Sequence, residues 1–571
     1  MRSLAYRGPE VQQPTCRKPD IDAADAKGVP VAPRDFSHRL VYALLAVALI
    51  AGSYARIAHL DRKLFWQDEA FAALMISGHN VAQLEALYDG RPRPVAAVRA
   101  LITRDPATSV LSVVSGLAQN DPQHPPFFYV LDRLSIDALG SSPAGYRALS
   151  VLIGLLTIGM AFLFGQKLLG SSFGGVVLCA LVAVSPLHVI YSRQTREYEL
   201  LALETLLASW LLLRALEAPS ALAWIGYAVA VGASLYTDPI FLFVIAAHAV
   251  TALVARRDNL RALVPYAVAT LVGAATYVPW ALQEFGSRHA IRGELAWGAR
   301  VYPLKFLAEK WGFNIGAVFF DAEFADLRWA VVAAAAIVVA GISLVVVARG
   351  RNRRLQALSF SLIAIVMGAF VVRDMIGGSF YATIPRYLMP GWIGLEIAVA
   401  AAIATGLQAQ NRFALAAFAF LICAGTGSVL VDNGAENWWD NNSQVAFQTV
   451  AMKINAYPDA VVALDANPEV PLMLATYLHD DVALVLVRDP KTDAFPIDGR
   501  PNFLVVPSPE LFDGANAHGK DRYILENISP PRTTIITGFH SDLARSGVTP
   551  ALRLGLIERP DNALWYLRPA R

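Results

Sequence analysis

The residues best suited to do chemistry in this sequence lie in short polar motifs beside long apolar segments. Two adjacent carboxylates, Asp68 and Glu69, follow an aromatic pair in the motif FWQDEA. Such a pair can simply begin a helix, because acidic side chains favour the first turn. A carboxylate that is partly removed from water can instead act as a general base towards a hydroxyl group. Neighbouring helical residues point in different directions, so Asp68 is the candidate base and Glu69 is expected to have a different role.

Arginines recur beside tyrosines near the ends of the apolar segments. Arg193, Arg196 and Tyr198 lie in YSRQTREYE, and Arg386 and Tyr387 lie in IPRYLMP. Arginines in such places can extend towards lipid headgroups. The planar guanidinium fork also matches a phosphate in shape and charge. Three arginines without a lysine favour an anionic ligand over scattered membrane anchors.

Two further side chains are candidates for the same pocket. His124 precedes two prolines, where it can cap a helix or lie at an interface. Because imidazole and carboxylate both suit divalent metals, a metal ion bound by Glu69 and His124 is a second possibility. Asp238 lies in the turn YTDP, where it can pair with an arginine or cap a helix; the structural role is favoured.

The composition defines the class of chain that must position these residues. Of 571 residues, 55% are hydrophobic and 16% are charged, against about 25% charged in soluble domains. This balance predicts a multi-pass membrane protein. The net charge of +2 provides no basic field for binding nucleic acid. Three cysteines in unrelated contexts exclude a disulfide framework or a cysteine-based zinc site.

The apolar pattern predicts about eleven transmembrane helices. A span needs roughly 17–25 apolar residues. The predicted spans begin near Leu40, Leu149, Phe173, Leu200, Ala221, Ile240, Leu263, Trp329, Leu355, Tyr387 and Phe413. The run 127–139 is too short and too charged for a span, and is interpreted as a helix lying in the membrane interface.

The charges of the loops assign the two sides of the membrane. With the N-terminus inside, the loops 255–261 and 349–354 face the cytoplasm, and both are rich in arginine. The predicted organisation is a cytoplasmic polar tail (1–38), a membrane domain (39–431) with a long outer loop (60–146), and an extracytoplasmic α/β domain (432–571). Five β-like runs support the last assignment: AVVALDA, VALVLV, NFLVVPS, TTIITGF and ALWYLRP.

This topology gathers the carboxylates, the histidine, the arginines and several aromatic residues on the outer face. No Gly-rich nucleotide loop and no Walker lysine motif is present. A transferase facing outward would therefore need a donor that the membrane itself carries.

The order of the motifs resembles the GT-C class of integral-membrane glycosyltransferases. The similar branch includes the protein O-mannosyltransferases, the aminoarabinose transferase of lipid A and the RgtA-like galacturonosyltransferases. The resemblance covers roughly residues 39–431 and rests on FWQDEA (65–70), HPPFFYVLDRL (124–134), GYRALSVLIGLLT (145–157), YSRQTREYELLAL (191–203) and IPRYLMP (384–390).

The resemblance implies a polyprenyl-phosphate-linked monosaccharide as donor. It implies that Asp68 is the base, that Glu69 shapes the acceptor or metal site, and that Arg193, Arg196 and Arg386 hold the donor phosphate. His124, Tyr198, Tyr387 and Asp238 are expected in the substrate pocket.

The predicted function is an inverting glycosyltransferase at the outer face of a bacterial cytoplasmic membrane. The acceptor hydroxyl can belong to a glycan, a lipid or a protein. An alternative is a transporter or flippase of a lipid-linked envelope precursor. Transporters, however, usually place ionisable residues at the membrane midplane and show inverted repeats. A further alternative is an assembly protein that presents the C-terminal domain.

Overall fold

The structure, a computed structural model, describes most of the chain. The described residues are 34–321, 327–435, 446–465, 468–490, 500–519, 523–528 and 564–569. The predicted tail up to residue 33 and the β-like run TTIITGF lie outside these residues.

The chain begins with one long helix and then forms the outer loop, which is mostly helical. The elements of this part are α1 (Arg34–Ile57), α2 (Gln67–Ile76), α3 (Val81–Glu85), strand β1 (Arg93–Pro94), α4 (Val95–Arg99), α5 (Val110–Asn120) and α6 (Phe127–Leu139). Helix α6 has the bounds predicted for the interfacial helix. Helix α2 carries the adjacent carboxylates.

Fourteen further helices in the described residues build the rest of the bundle. They are α7 (Pro143–Leu169), α8 (Ser172–Val184), α9 (Pro186–Tyr191), α10 (Tyr198–Glu217), α11 (Ala221–Thr237), α12 (Phe241–Ala255), α13 (Val264–Gly286), α14 (Arg288–Glu294), α15 (Leu304–Ala317), α16 (Leu327–Arg349), α17 (Arg353–Ser361), α18 (Gly368–Gly377), α19 (Met389–Gln408) and α20 (Arg412–Gly434). A π-helical segment, Leu362–Met367, joins α17 to α18.

Local sequence signals explain where these helices begin and end. Helix α7 begins after Ser142, whose hydroxyl oxygen accepts the Gly145 N–H, and Pro143 occupies its first turn. It ends at Gly170, which has φ +62° and so adopts the left-handed conformation that closes a helix.

The predicted class, a polytopic helical membrane protein with a C-terminal α/β region, is confirmed. Each predicted span begins inside a helix or within two residues of its start. Within the described residues, seven helical stretches are long and apolar enough to cross a membrane, and α8, α11 and α12 are shorter apolar helices. The remaining predicted span, α10, is mostly buried and carries Glu199 and Glu204. The number of eleven spans stays a prediction.

The arginine-rich loops meet at one end of the bundle. Arg257, from the loop after α12, and Arg351 and Arg354, around the start of α17, line the same shallow cavity. Arg354 also donates to Glu217 at the end of α10, over 3.0 Å, and Glu217 pairs with Lys167 near the end of α7. The loops that the charge pattern assigned to one side of the membrane therefore share one end of the molecule.

The C-terminal region folds around a sheet. Its elements are α21 (Ala446–Asn455), β2 (Val461–Leu464), α22 (Glu469–Tyr477), β3 (Ala483–Leu486), β4 (Asn502–Val505), α23 (Pro509–Gly519), β5 (Tyr523–Asn527) and β6 (Leu564–Pro569). The strand order among the described residues is β1-β3-β2-β4-β6-β5. Strand β2 is parallel to β3 and β4, and all its residues are buried. A continuous apolar strand is typical of a parallel sheet covered on both faces.

One strand of this sheet comes from the outer loop. Strand β1 forms one edge of the sheet and pairs with β3 in antiparallel orientation. Arg99, at the end of α4, donates to the carbonyl oxygens of Ala475 and Leu478 over 2.8 and 2.6 Å. The Phe65 N–H donates to the Tyr477 hydroxyl over 2.5 Å. The C-terminal region is thus built into the outer loop.

A buried ion pair closes the outer loop on the last membrane helix. The Lys63 ammonium contacts Asp432 Oδ1 over 2.9 Å, and the lysine side chain is fully buried. Lys63→Met is expected to lower the free energy of unfolding by about 2 kcal/mol, because it leaves a largely buried carboxylate without its cation. Denaturant unfolding in detergent measures the change. The control Lys305→Met removes an exposed lysine near Glu309 and should have little effect; equal effects of the two variants would contradict the prediction.

Candidate active site

The two adjacent carboxylates of α2 face different surroundings. Asp68 keeps 21% of its side chain exposed, whereas the Glu69 side chain is fully buried. Successive helical positions are about 100° apart, which separates the two side chains. The predicted division of roles between Asp68 and Glu69 therefore has a structural basis.

Glu69 is held by a bidentate ion pair. Arg147 on α7 donates from Nε to Oε1 over 2.8 Å and from Nη2 to Oε2 over 2.6 Å. The Thr195 N–H donates to Oε1 over 3.0 Å. A paired fork of this kind fixes orientation as well as charge. The buried carboxylate thereby locks the first turn of α2 and orients Asp68.

Arg147 is a site residue that the sequence analysis did not single out. Besides pairing with Glu69, it donates to the carbonyl oxygens of Leu60, Lys63 and Leu64, over 2.5, 3.0 and 2.8 Å. It thus holds the segment that enters α2. Its role could have been predicted from the sequence, because Arg147 is the lone arginine of the motif GYRALSVLIGLLT. A charge beside an apolar span needs a specific partner.

Arg386 lies beside Asp68 in an aromatic environment. Its Nη2 is 3.7 Å from Asp68 Oδ2. Its guanidinium carbon lies 5.4 Å from the Trp66 ring centroid, 5.9 Å from that of Tyr198 and 5.3 Å from that of Tyr387. Electron-rich ring faces stabilise a cation held at such distances. The carboxylate and this arginine, predicted from motifs more than 300 residues apart, are neighbours.

Arg196 is the second arginine near the Tyr198 ring. Its guanidinium carbon is 5.5 Å from the Tyr198 ring centroid, so Tyr198 has a guanidinium from both Arg196 and Arg386 near it. Arg196 Nη2 also contacts His124 Nε2 over 2.7 Å and Glu197 Oε1 over 3.0 Å. Arg196 and Arg386 therefore both lie near the Tyr198 ring, and His124 joins them through its contact with Arg196.

His124 is supported by a carboxylate that the sequence analysis did not identify. Its Nδ1 is 2.7 Å from Asp121 Oδ2. Burial by itself would lower the pKa of His124, but the charges of Asp121 and Glu197 outweigh it and raise the pKa above its usual value. The three-residue spacing of Asp121 and His124 in the motif DPQH is the feature of the sequence from which this pair could have been predicted.

Arg193 is placed differently from the other two arginines. It is fully buried, and its Nη2 donates to the carbonyl oxygens of Ala58 and His59 over 3.0 and 3.1 Å. These contacts anchor the end of α1. The geometry therefore favours a structural role for Arg193 over the predicted contact with a phosphate.

Tyr387 and Asp238 complete the predicted set. The Tyr387 ring contacts the Tyr198 ring, with centroids 6.3 Å apart. Asp238 Oδ1 accepts the Ile240 N–H over 2.8 Å in the turn just before α12, which is a structural contact of the kind favoured from the sequence. Burial and the nearby Glu197 raise the pKa of Asp238 to about 7.

The residues proposed as metal ligands do not fit a metal ion. Both carboxylate oxygens of Glu69 contact the Arg147 guanidinium, whose charge repels a cation. Both ring nitrogens of His124 have other partners, Asp121 and Arg196. Within the described residues, no group of three or more His, Cys, Asp or Glu side chains could hold a metal ion.

The C-terminal region reaches the same site. Helix α22 packs against α2. Burial raises the pKa of Glu469, at the start of α22, and the negative charge of Asp68 raises it further. A carboxylate of the C-terminal region therefore lies within electrostatic range of the candidate base.

Comparison with known proteins supports the class predicted from the motifs. Residues 123–282 match the family model described as dolichyl-phosphate-mannose-protein mannosyltransferase. This segment includes His124, Arg196, Tyr198 and Asp238, but not Asp68 or Arg386. The match confirms the resemblance to GT-C membrane glycosyltransferases and indicates an integral-membrane glycosyltransferase.

Among solved structures, the chain is similar to two of ArnT from Cupriavidus metallidurans. The one bound to undecaprenyl phosphate shows 16% identity and a TM-score of 0.45, and the apo structure shows 13% identity and a TM-score of 0.48. Each comparison covers 86% of this chain and 96% of the other. At these values the likeness does not bear on individual residues. No curated protein matches the chain significantly.

The buried pair beneath α2 can be tested directly. Arg147→Met should lower the free energy of unfolding by about 3–5 kcal/mol, because it leaves the Glu69 carboxylate buried without a counter-charge. The double variant Arg147→Met/Glu69→Leu should regain part of the loss, since it removes the isolated charge as well. Unfolding in detergent measures both; a stable single variant would show that Glu69 does not depend on Arg147.

Proposed function

We propose that this protein is an inverting glycosyltransferase that moves a monosaccharide from a polyprenyl-phosphate donor to an acceptor hydroxyl. The family that matches residues 123–282 is named for a donor of this class, dolichyl-phosphate mannose. The multi-pass fold is suited to a donor whose lipid chain lies in the membrane.

One observation carries the residue assignment. Asp68, the candidate base, has an oxygen 3.7 Å from Arg386, and the Arg196 guanidinium lies on the same tyrosine as that of Arg386. An acceptor hydroxyl facing Asp68 and a phosphate facing the two arginines would be close together. Such proximity is what a single displacement requires.

The proposed reaction proceeds in one step. The acceptor hydroxyl gives its proton to Asp68, and its oxygen forms a bond to the anomeric carbon. The bond from that carbon to the phosphate oxygen breaks, and polyprenyl phosphate leaves with the electron pair. Attack opposite to the leaving group inverts the anomeric centre. The phosphate needs no proton from a general acid, unlike the leaving group in glycoside hydrolysis.

The arginines supply the electrostatic part of the mechanism. The phosphate gains negative charge as the bond breaks, and Arg196 and Arg386 are already positioned to stabilise it. Without donor, Arg386 lies next to Asp68; we propose that a bound phosphate draws it away, leaving the carboxylate free to accept the proton. Donor binding would then prepare the base.

We propose the outer face of a bacterial cytoplasmic membrane as the location. The support is the charge pattern: the arginine-rich loops meet at one end of the bundle, where the positive-inside rule places the cytoplasm. The acceptor is proposed as a glycan, lipid or protein hydroxyl.

The function is tested with purified protein and a labelled polyprenyl-phosphate sugar, together with a panel of hydroxyl acceptors. Release of polyprenyl phosphate and an inverted glycosidic bond in the product are the expected results. Movement of the intact lipid-linked sugar across a vesicle membrane, without cleavage, would instead identify a flippase.

Asp68→Asn should reduce kcat by about 10²–10⁴-fold, because the amide cannot accept the proton. The affinity for polyprenyl phosphate should persist, since the arginines remain. The control is Asp89→Asn, which changes a carboxylate of the same loop that pairs with Arg93 and should leave kcat unaltered. Full activity of the Asp68 variant would remove this residue from the role of base.

Substitutions of the three arginines should have different effects on the affinity for polyprenyl phosphate. Arg196→Gln and Arg386→Gln should each weaken the affinity for polyprenyl phosphate by about 10–100-fold, the value of a lost hydrogen bond to a charged group. Arg193→Gln should mainly lower stability, because it loosens the end of α1. Titration followed by intrinsic fluorescence measures the affinities, and a dominant effect of Arg193 would reverse the assignment.

A further inference from the structure

A second charged cluster lies inside the helical bundle. His188 on α9 is located between Glu199 on α10 and Glu396 on α19. Its Nδ1 is 2.9 Å from Glu199 Oε2, and its Nε2 is 3.1 Å from Glu396 Oε2. Each of the three side chains is at most 1% exposed. Neither the proposed reaction nor the quoted motifs assign a role to His188 or Glu396.

The His188 ring is bonded at both nitrogens to acidic side chains. With both glutamates ionised, each ring nitrogen would donate a proton, because an ionised carboxylate only accepts hydrogen bonds. Arg56, also fully buried, interacts electrostatically with both glutamates. Two basic and two acidic side chains are therefore enclosed together. Ionisable groups inside a membrane bundle are costly and usually serve a specific purpose.

The cluster joins α10 and α19, the two helices that begin shortly after the site arginines Arg196 and Arg386. Glu199 follows Tyr198 directly and is three residues after Arg196. Glu396 lies in the second turn of α19, and Arg386 lies in the short 3-10 segment, Pro385–Leu388, that leads into this helix. The relative placement of α10 and α19 determines how far apart Arg196 and Arg386 lie on either side of Tyr198.

We propose that His188 is a positioning residue that fixes α10 against α19 and so holds Arg196 and Arg386 at the spacing that binds the donor phosphate. His188 contacts no site residue directly and acts through Glu199 and Glu396. This inference rests on the proposed function, since it concerns the same phosphate.

The bundle offers a matched control in a second buried histidine. His248 on α12 contacts Ser209 Oγ over 2.9 Å and the Tyr227 hydroxyl over 3.0 Å. These partners lie on α10 and α11. His248 therefore also joins helices through both ring nitrogens, but to uncharged groups and without a hydrogen bond to α19.

The experiment compares His188→Leu with His248→Leu in the full-length protein. Each variant is measured for its unfolding temperature in detergent, for the Kd of a short-chain polyprenyl phosphate, and for kcat and the donor KM. His188→Leu is expected to raise the Kd and the donor KM by about tenfold or more, whereas His248→Leu should stay within about threefold at a comparable loss of stability.

Glu396→Gln is the milder variant if His188→Leu does not fold. The amide oxygen can still accept from His188 Nε2, so the affinity should fall only about threefold, and less than in Glu396→Leu. Equal affinities for the His188 and His248 variants, or equal effects of Gln and Leu at Glu396, would overturn the positioning role. A wild-type protein that does not bind polyprenyl phosphate would instead refute the proposed function.

Discussion

The candidate site depends on one buried ion pair, between Arg147 and Glu69. The guanidinium of α7 binds both oxygens of the carboxylate, and the same arginine holds three carbonyl oxygens of the segment that leads into α2. Burying a carboxylate in this way is costly unless a counter-charge and hydrogen bonds compensate for the lost water. The direction of Asp68, one residue earlier, follows from how Glu69 is held. The pair therefore connects the membrane bundle to the chemistry at its edge.

The charges around the Tyr198 ring are the second feature on which the candidate site depends. Arg196 and Arg386 both lie near the Tyr198 ring, yet each also has a neighbouring carboxylate, Glu197 or Asp68. Like charges brought together in this way require counter-charges when no ligand is present. An entering phosphate would replace part of that compensation, which suits a pocket that must both bind an anionic donor and release a more highly charged product.

The sequence predicted the long helices better than the contacts between them. Long apolar runs placed these helices well, because each predicted span is a long uniform segment, and the motifs contained Asp68 and Arg386, which lie side by side in the structure. Arg193 and Arg196 could not be distinguished, because three residues apart they share the same local pattern and only the packing of α1 decides which way each points. Arg147 was missed because its partner is remote in sequence. Strand β1 was missed because two residues have no readable periodicity.

The contact between Phe65 and Tyr477 spans 412 residues of chain. Ribosomes add about 5–20 residues per second, so Phe65, just before α2, is made roughly 20–80 seconds before its partner Tyr477. The membrane helices can insert in that interval, but α22 can pack against α2 only after residues 469–477 have been made. A chain that stalls before α22 would carry the arginines and the carboxylate without this packing, so synthesis of the C-terminal region limits when the candidate site is fully assembled.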